Sequence, residues 1–70
     1  MKRDTVSSSS LSSVGYDAAR RILEVEFRHG GIYQYLDVPP EIYTALREAA
    51  SLGTYLGRVI KPNYVFRRVE

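Results

Sequence analysis

Between Arg21 and Phe27 the chain alternates with period two. Leu23, Val25 and Phe27 fall on one side of an extended backbone and Glu24 and Glu26 on the other, which predicts a half-buried β-strand. Ahead of it, Val14-Gly15-Tyr16-Asp17 predicts a shorter strand, with Asp17-Ala18-Ala19-Arg20 as the reversing turn. Behind it, Arg28-His29-Gly30-Gly31 supplies residues that tolerate positive φ where a hairpin closes. Loop length then decides which way the following tyrosines point. A three-residue loop over Arg28, His29 and Gly30 pairs Val25 with Tyr33 and Leu23 with Tyr35, and places Glu24 opposite Gln34 on the wet face. A two-residue loop reverses every side chain. The longer loop is favoured because it gathers five large apolar side chains on one face.

Val38-Pro39-Pro40-Glu41 predicts the end of the third strand and the start of a helix, since Pro40 suits a first helical position and Glu41 complements the positive end of the dipole. Ile42, Tyr43, Leu46, Ala49 and Ala50 make its apolar stripe. Ser51 can cap a second helix, in which Leu52, Tyr55, Leu56, Val59 and Ile60 recur at helical spacing before Pro62 sets the stop. Gly53 and Gly57 lie inside it, each costing up to about 1 kcal/mol against Ala, and are expected to mark close backbone packing against the sheet. The tail from Tyr64 to Val69 alternates weakly and predicts a short edge strand. The fold class is therefore α+β, a three-stranded antiparallel meander packed on two C-terminal helices, with that further strand possible at its edge.

Residues 1–10, ending in four consecutive serines, have almost no apolar content, so they are expected to be a flexible lead with nothing to pack, and residues 11–70 a single domain. A chain of 70 residues buries only about 60% of its unfolded surface, which leaves no room for a second core. The absence of Cys, with a single His, removes disulfide and metal staples and points to a reducing, cytoplasmic setting. No apolar stretch follows Met1-Lys2-Arg3 to form a signal peptide or membrane anchor, so a soluble chain without membrane contact is expected. Net charge is only +2, but Arg58, Lys61, Arg67 and Arg68 stand against Glu70 alone in the last twenty residues.

Read in order, Gly15-Tyr16-Asp17, Leu23, Val25 and Phe27, the central Tyr33-Gln34-Tyr35, Val38-Pro39, and then Ser51, Gly53, Tyr55, Ile60-Lys61 and Tyr64 resemble the KTSC domain. This is a short module with a central Y-x-Y, found alone in bacterial and phage-like proteins and at the C-terminus of some lysyl-tRNA synthetases. The resemblance runs from Ser12 to Arg68. It departs at Leu56-Gly57, where the family has an aromatic followed by Asn, so no polar role carries over to that position. The resemblance implies a module of uncharacterised function, for which the synthetase connection suggests RNA binding.

Chemistry in the residues themselves argues against catalysis and for binding. His29 belongs to a glycine-rich turn, and the serines from Ser7 to Ser10 have nothing to orient them as nucleophiles. Glu24 and Glu26 could frame an acid/base pair or a hard cation, yet alternating carboxylates on an exposed sheet face are an ordinary solubility pattern. Gly30-Gly31 opens no helix and so cradles no phosphate. No cofactor and no metal are expected. Tyr33 and Tyr35 either pack against the helices or form a platform for unpaired bases, and the favoured hairpin register assigns them to packing. The nucleic-acid contact is instead placed on Arg58, Lys61, Tyr64, Phe66, Arg67 and Arg68, a basic and aromatic segment suited to RNA or another single strand. The alternative is a protein-interaction module that uses an edge strand for β-augmentation or homodimerisation.

Overall fold

A computed structural model describing residues 1–70 shows five antiparallel strands lying side by side in chain order. They are β1 (Asp4–Thr5), β2 (Leu11–Asp17), β3 (Ile22–Phe27), β4 (Ile32–Tyr35) and β5 (Phe66–Arg68). Helix α1 (Pro40–Glu48) and helix α2 (Leu52–Tyr55) intervene between β4 and β5, and α2 runs directly into a π-helical turn at Leu56–Ile60. The α+β class matches the sequence reading, but the sheet has five strands where three with a possible fourth were expected. The added strand is β1.

The central hairpin has the register that the longer loop dictates. Leu23 faces Tyr35, Glu24 faces Gln34 and Val25 faces Tyr33. The Phe27 amide donates to the Gly31 carbonyl at 3.1 Å and the Gly30 amide to the Phe27 carbonyl at 3.0 Å, closing the loop over Arg28, His29 and Gly30. Gly30 and Gly31 take φ values of 111° and 92°, which a side chain would strain. Parity then sends Val14, Leu23, Val25, Phe27 and Tyr35 to one face, where they meet Val38, Leu46, Leu56 and Ile60 in a single core.

Pro40 opens α1 with Glu41 in its first turn and Arg47 in its last, both favourable to the dipole. The helix ends at Glu48, and Ala49 is extended, so Ala49 and Ala50 fall outside the stripe expected to include them. Ser51 caps α2, its hydroxyl accepting from the Thr54 amide at 3.2 Å. The Lys61 amide donates to the Leu56 carbonyl at 2.8 Å, the five-residue spacing that widens the helix into a π turn. Leu56 and Ile60 stay buried through it while Gly57 and Arg58 face outward. The two glycines differ from the close sheet packing expected of them. A Cβ on Gly53 would meet the Ser10 hydroxyl at 2.8 Å, whereas Gly57 borders open space.

The N-terminal segment corrects a further expectation. Residues 1–10 do pack: Asp4 and Thr5 pair with Val14 and Ser13, and the half-buried Val6 joins the rim of the core. Two strand residues and a few charges replace the apolar content whose absence suggested an unpacked lead. Gly15 makes the approach possible, because a Cβ there would stand 2.3 Å from the Lys2 carbonyl oxygen. The same segment changes the environment of the carboxylates on β3. Glu24, expected on a wet face, is 6% exposed beneath it.

Candidate functional site

The hairpin and β5 bring their aromatic side chains together at one end of the helix-facing side of the sheet, with Lys61 arriving from just beyond the π turn. Phe27 and Tyr33 sit on neighbouring strands with ring centroids 5.3 Å apart, edge to face. His29, on the same side of the chain as Phe27 two residues earlier, stacks on that ring at 5.3 Å. β5 then delivers Phe66 opposite Tyr35, and its ring lies 5.7 Å from Tyr33 and 5.9 Å from Tyr35. Phe27, His29, Tyr33, Tyr35, Phe66 and Lys61 line an open cleft of about 240 Å³. That is smaller than the roughly 300 Å³ at which pockets begin to take drug-sized ligands, so the cleft fits a planar ring rather than a whole cofactor. Phe66 is 56% exposed and free to receive one.

Two cations border this cleft. The Lys61 ammonium lies 5.2 Å from the centre of the Phe27 ring, and the Arg68 guanidinium 5.7 Å from that of Tyr33, both within cation–π range. Arg68 also passes close to Gly31, where a Cβ would come within 3.3 Å of its terminal nitrogen. The ion pairs in the chain join Arg3 to Glu24, Arg20 to Asp17 and Arg47 to Asp4. Lys61, Arg68 and Arg28 are in none of them, although the Arg68 Nε donates to the Glu70 main-chain oxygen at 3.0 Å, so this end of the molecule is rich in positive charge. Burial pushes the Tyr35 phenol above its ordinary pKa, with Tyr33 adding to the effect, so the ring at the cleft floor is uncharged at neutral pH.

The residues predicted from sequence do not all reach this place. Lys61, Phe66 and Arg68 do. Arg67 alternates to the opposite face, where its guanidinium donates to the Gln34 side-chain oxygen at 2.9 and 2.7 Å, so the four basic residues do not form one patch. Arg58 is exposed on the π turn, and Tyr64 packs half-buried against the core. The tyrosines of the central motif divide their work, with Tyr35 buried in the core and Tyr33 half-buried at the cleft wall. His29, read from the sequence as a turn residue, lines the cleft, and Arg28 beside it holds to the Ser8 carbonyl on the adjoining surface. No strand pattern marked them, because β3 ends at Phe27 and both lie in the turn beyond it, where alternation no longer fixes the side a residue faces.

The opposite face carries a row of polar side chains fixed by strand register. Arg3 donates to Glu24 and, at 2.9 Å, to Ser13; Gln34 donates to Glu24 at 2.8 Å, and Arg67 completes the row on Gln34. Glu26 accepts from the Ser13 hydroxyl at 3.0 Å. Burial alone would raise the Glu24 pKa, but hydrogen bonds from Gln34 and Arg3, and the positive charge of Arg3 and of the N-terminus, together hold it below the usual carboxylate range. Both carboxylates considered for acid/base work are thus engaged in holding the sheet. No helix is long and apolar enough to cross a membrane.

Comparison with known proteins agrees with the geometry. The family model of the KTSC domain matches residues 7–64. An uncharacterised protein of Stutzerimonas stutzeri is 51% identical over 71 residues, covering 100% of both chains. A lysine–tRNA ligase of Nostoc punctiforme is 30% identical over 62 residues, which span 89% of this chain but 11% of the ligase. The crystal structure of a KTSC domain protein from Yersinia pestis superposes with a TM-score of 0.95 at 40% identity, covering 99% of this chain and 97% of that one.

Proposed function

The chain belongs to the KTSC domain family, and from that premise we propose that it is a non-catalytic module that binds RNA or another single-stranded nucleic acid weakly. The contact surface is the aromatic cleft of Phe27, His29, Tyr33 and Phe66, bordered by Lys61 and Arg68, with Arg28 on the adjoining surface. The observation that carries this reading is an exposed aromatic cleft bordered by Lys61 and Arg68, neither of which is in a side-chain ion pair. Stacking supplies affinity to unpaired bases without demanding a sequence, and the cations supply phosphate contacts. The lysine–tRNA ligase relative supports the same reading, since its enzyme acts on an RNA, and it suits a cytoplasmic setting. No cofactor or metal takes part.

A second reading draws on β5, which closes the sheet at an edge and carries Phe66 beside the exposed Val65 and Val69. Such an edge suits β-augmentation by another protein or by a second copy. The two readings separate in one pair of experiments. Anisotropy titration of a labelled single-stranded RNA detects the first, and Lys61→Glu and Phe66→Ala each weaken it. No binding at low salt refutes it. Concentration-dependent self-association, abolished by Phe66→Pro, would support the second.

A further inference from the structure

Beside the aromatic cleft lies a second depression of about 380 Å³ with a different lining. Its walls include the Ser9 and Ser10 hydroxyls and the Arg28 side chain, and Phe27, His29 and Lys61 form the wall that it shares with the cleft. The Arg28 Nε donates to the Ser8 carbonyl, which holds the guanidinium in place and leaves its two terminal nitrogens without a protein acceptor. The Lys61 ammonium stands over Phe27 on the shared wall. Gly53 lines the same depression and lets Ser10 pack directly on α2, since a Cβ there would meet the Ser10 hydroxyl oxygen at 2.8 Å.

We propose that the two depressions together form a site for one nucleotide unit, the base in the aromatic cleft and its phosphate in the hydroxyl- and guanidinium-lined depression, with Lys61 between them. This rests on the nucleic-acid reading and makes it more specific. The division follows from chemistry. A base is planar and polarisable and gains from the rings of Tyr33 and Phe66. A phosphate needs hydrogen-bond donors and positive charge, which Ser9, Ser10, Arg28 and Lys61 supply and which the aromatic cleft largely lacks. Because a single ribose links base to phosphate, the two subsites must be adjacent, and the shared wall makes them so. The N-terminal serine run, which has no apolar part in the core, thereby acquires a role as a source of phosphate-facing hydroxyls.

The test is a titration of the full chain with adenosine 5′-monophosphate, adenosine and inorganic phosphate separately, followed by amide chemical shifts. The monophosphate should bind about tenfold more tightly than adenosine at low salt, as expected for charge-assisted hydrogen bonds to its phosphate. Its perturbations should cover both Ser10 and Arg28 on one side and Tyr33 and Phe66 on the other. Arg28→Glu should bring the monophosphate and adenosine to within about twofold of each other, and Phe66→Ala should do the same for the monophosphate and inorganic phosphate. Perturbation of one depression only, or equal affinity for adenosine and its monophosphate, overturns the proposal. Binding of single-stranded RNA without any response to the monophosphate also overturns it and leaves the broader reading standing. Loss of both refutes the two together.

Discussion

The guanidinium of Arg3 closes on the carboxylate of Glu24 across 21 positions of sequence, on the side of the sheet away from the helices. This contact ties the N-terminal segment to β3, and through Gln34 and Arg67 the same hydrogen-bonded row reaches β5 at the other edge. The charges that look like surface decoration in the sequence are thus organised by strand register.

Glu24 is held below the ordinary carboxylate range, so its folded pKa is lower than its unfolded one. A group depressed in this way adds stability above the unfolded value, and that stability is lost as pH falls through the folded value. Glu24→Gln should therefore cost roughly 1–3 kcal/mol at neutral pH, in the range for hydrogen bonds to charged groups. In urea titrations the difference from the parent should shrink below about pH 4, where the parent carboxylate also becomes neutral. An equal loss at both pH values would show that the charge is not what matters.

Gly15→Ala places a methyl group where the Lys2 carbonyl lies 2.3 Å away. Because the obstacle is backbone, the N-terminal segment must shift as a unit. A destabilisation of about 1–3 kcal/mol is expected, as for overpacking. Amide exchange at Val6, whose N–H bonds the Ser12 carbonyl, should accelerate in the same variant. The penalty should disappear in a chain lacking residues 1–3, and its persistence there would locate the clash elsewhere.

The Tyr16 ring stacks on Tyr43 at 4.9 Å and its hydroxyl donates to the Val38 carbonyl, which links β2 to the entry of α1. Tyr16→Phe keeps the stack and removes the hydrogen bond, so a loss of about 0.5–1.5 kcal/mol is expected in equilibrium unfolding. Burial raises the Tyr16 pKa, with neighbouring Arg21 opposing it. A raised folded pKa means stability present below the unfolded value and lost as pH climbs through the folded one. The parent should therefore lose more stability than Tyr16→Phe above about pH 10.

Lys61 and Arg67 lie on opposite faces, and nucleic-acid binding should tell them apart. Lys61→Glu should lower affinity for single-stranded RNA by more than about tenfold, while Arg67→Glu stays within about threefold at physiological salt, where screening limits the reach of a surface charge to about 8 Å. Equal effects would mean that overall charge, and not this face, governs binding. Phe66→Ala should cost about 1–3 kcal/mol of RNA affinity with little loss of stability, because the ring is mostly exposed.

Much of the fold could be read from local pattern. The alternation around Val25, the loop of Arg28, His29 and Gly30, the proline entry to α1 and the Ser51 cap each follow from rules that operate over a few residues, and the hairpin register followed from parity. What escaped depends on distant partners. Asp4-Thr5 forms a strand because β2 offers an edge and Gly15 a close approach, neither of which is visible from residues 1–10. The π turn is a one-residue change in hydrogen-bond spacing that the apolar periodicity from Leu52 to Ile60 does not distinguish from α. For the candidate site, the basic cluster included Lys61 and Arg68 at the cleft, but adjacent residues in a strand face opposite ways, so Arg67 and Arg68 do not share one face. His29 reaches the cleft from the hairpin turn, where its ring stacks on Phe27.

The central claim is that Lys61 and Arg68 beside the aromatic cleft, with Arg28 in the adjoining depression, contact the backbone of a single strand, and the salt dependence of binding measures it most directly. With Arg28 and Lys61 sharing one phosphate and Arg68 neutralising a second, the logarithm of the affinity for single-stranded RNA should fall against the logarithm of salt with a slope of about −1.4. Lys61→Glu should make that slope shallower by about 0.7 or more. A slope near zero, or one that Lys61→Glu leaves unchanged, would contradict the assignment of this face to nucleic acid.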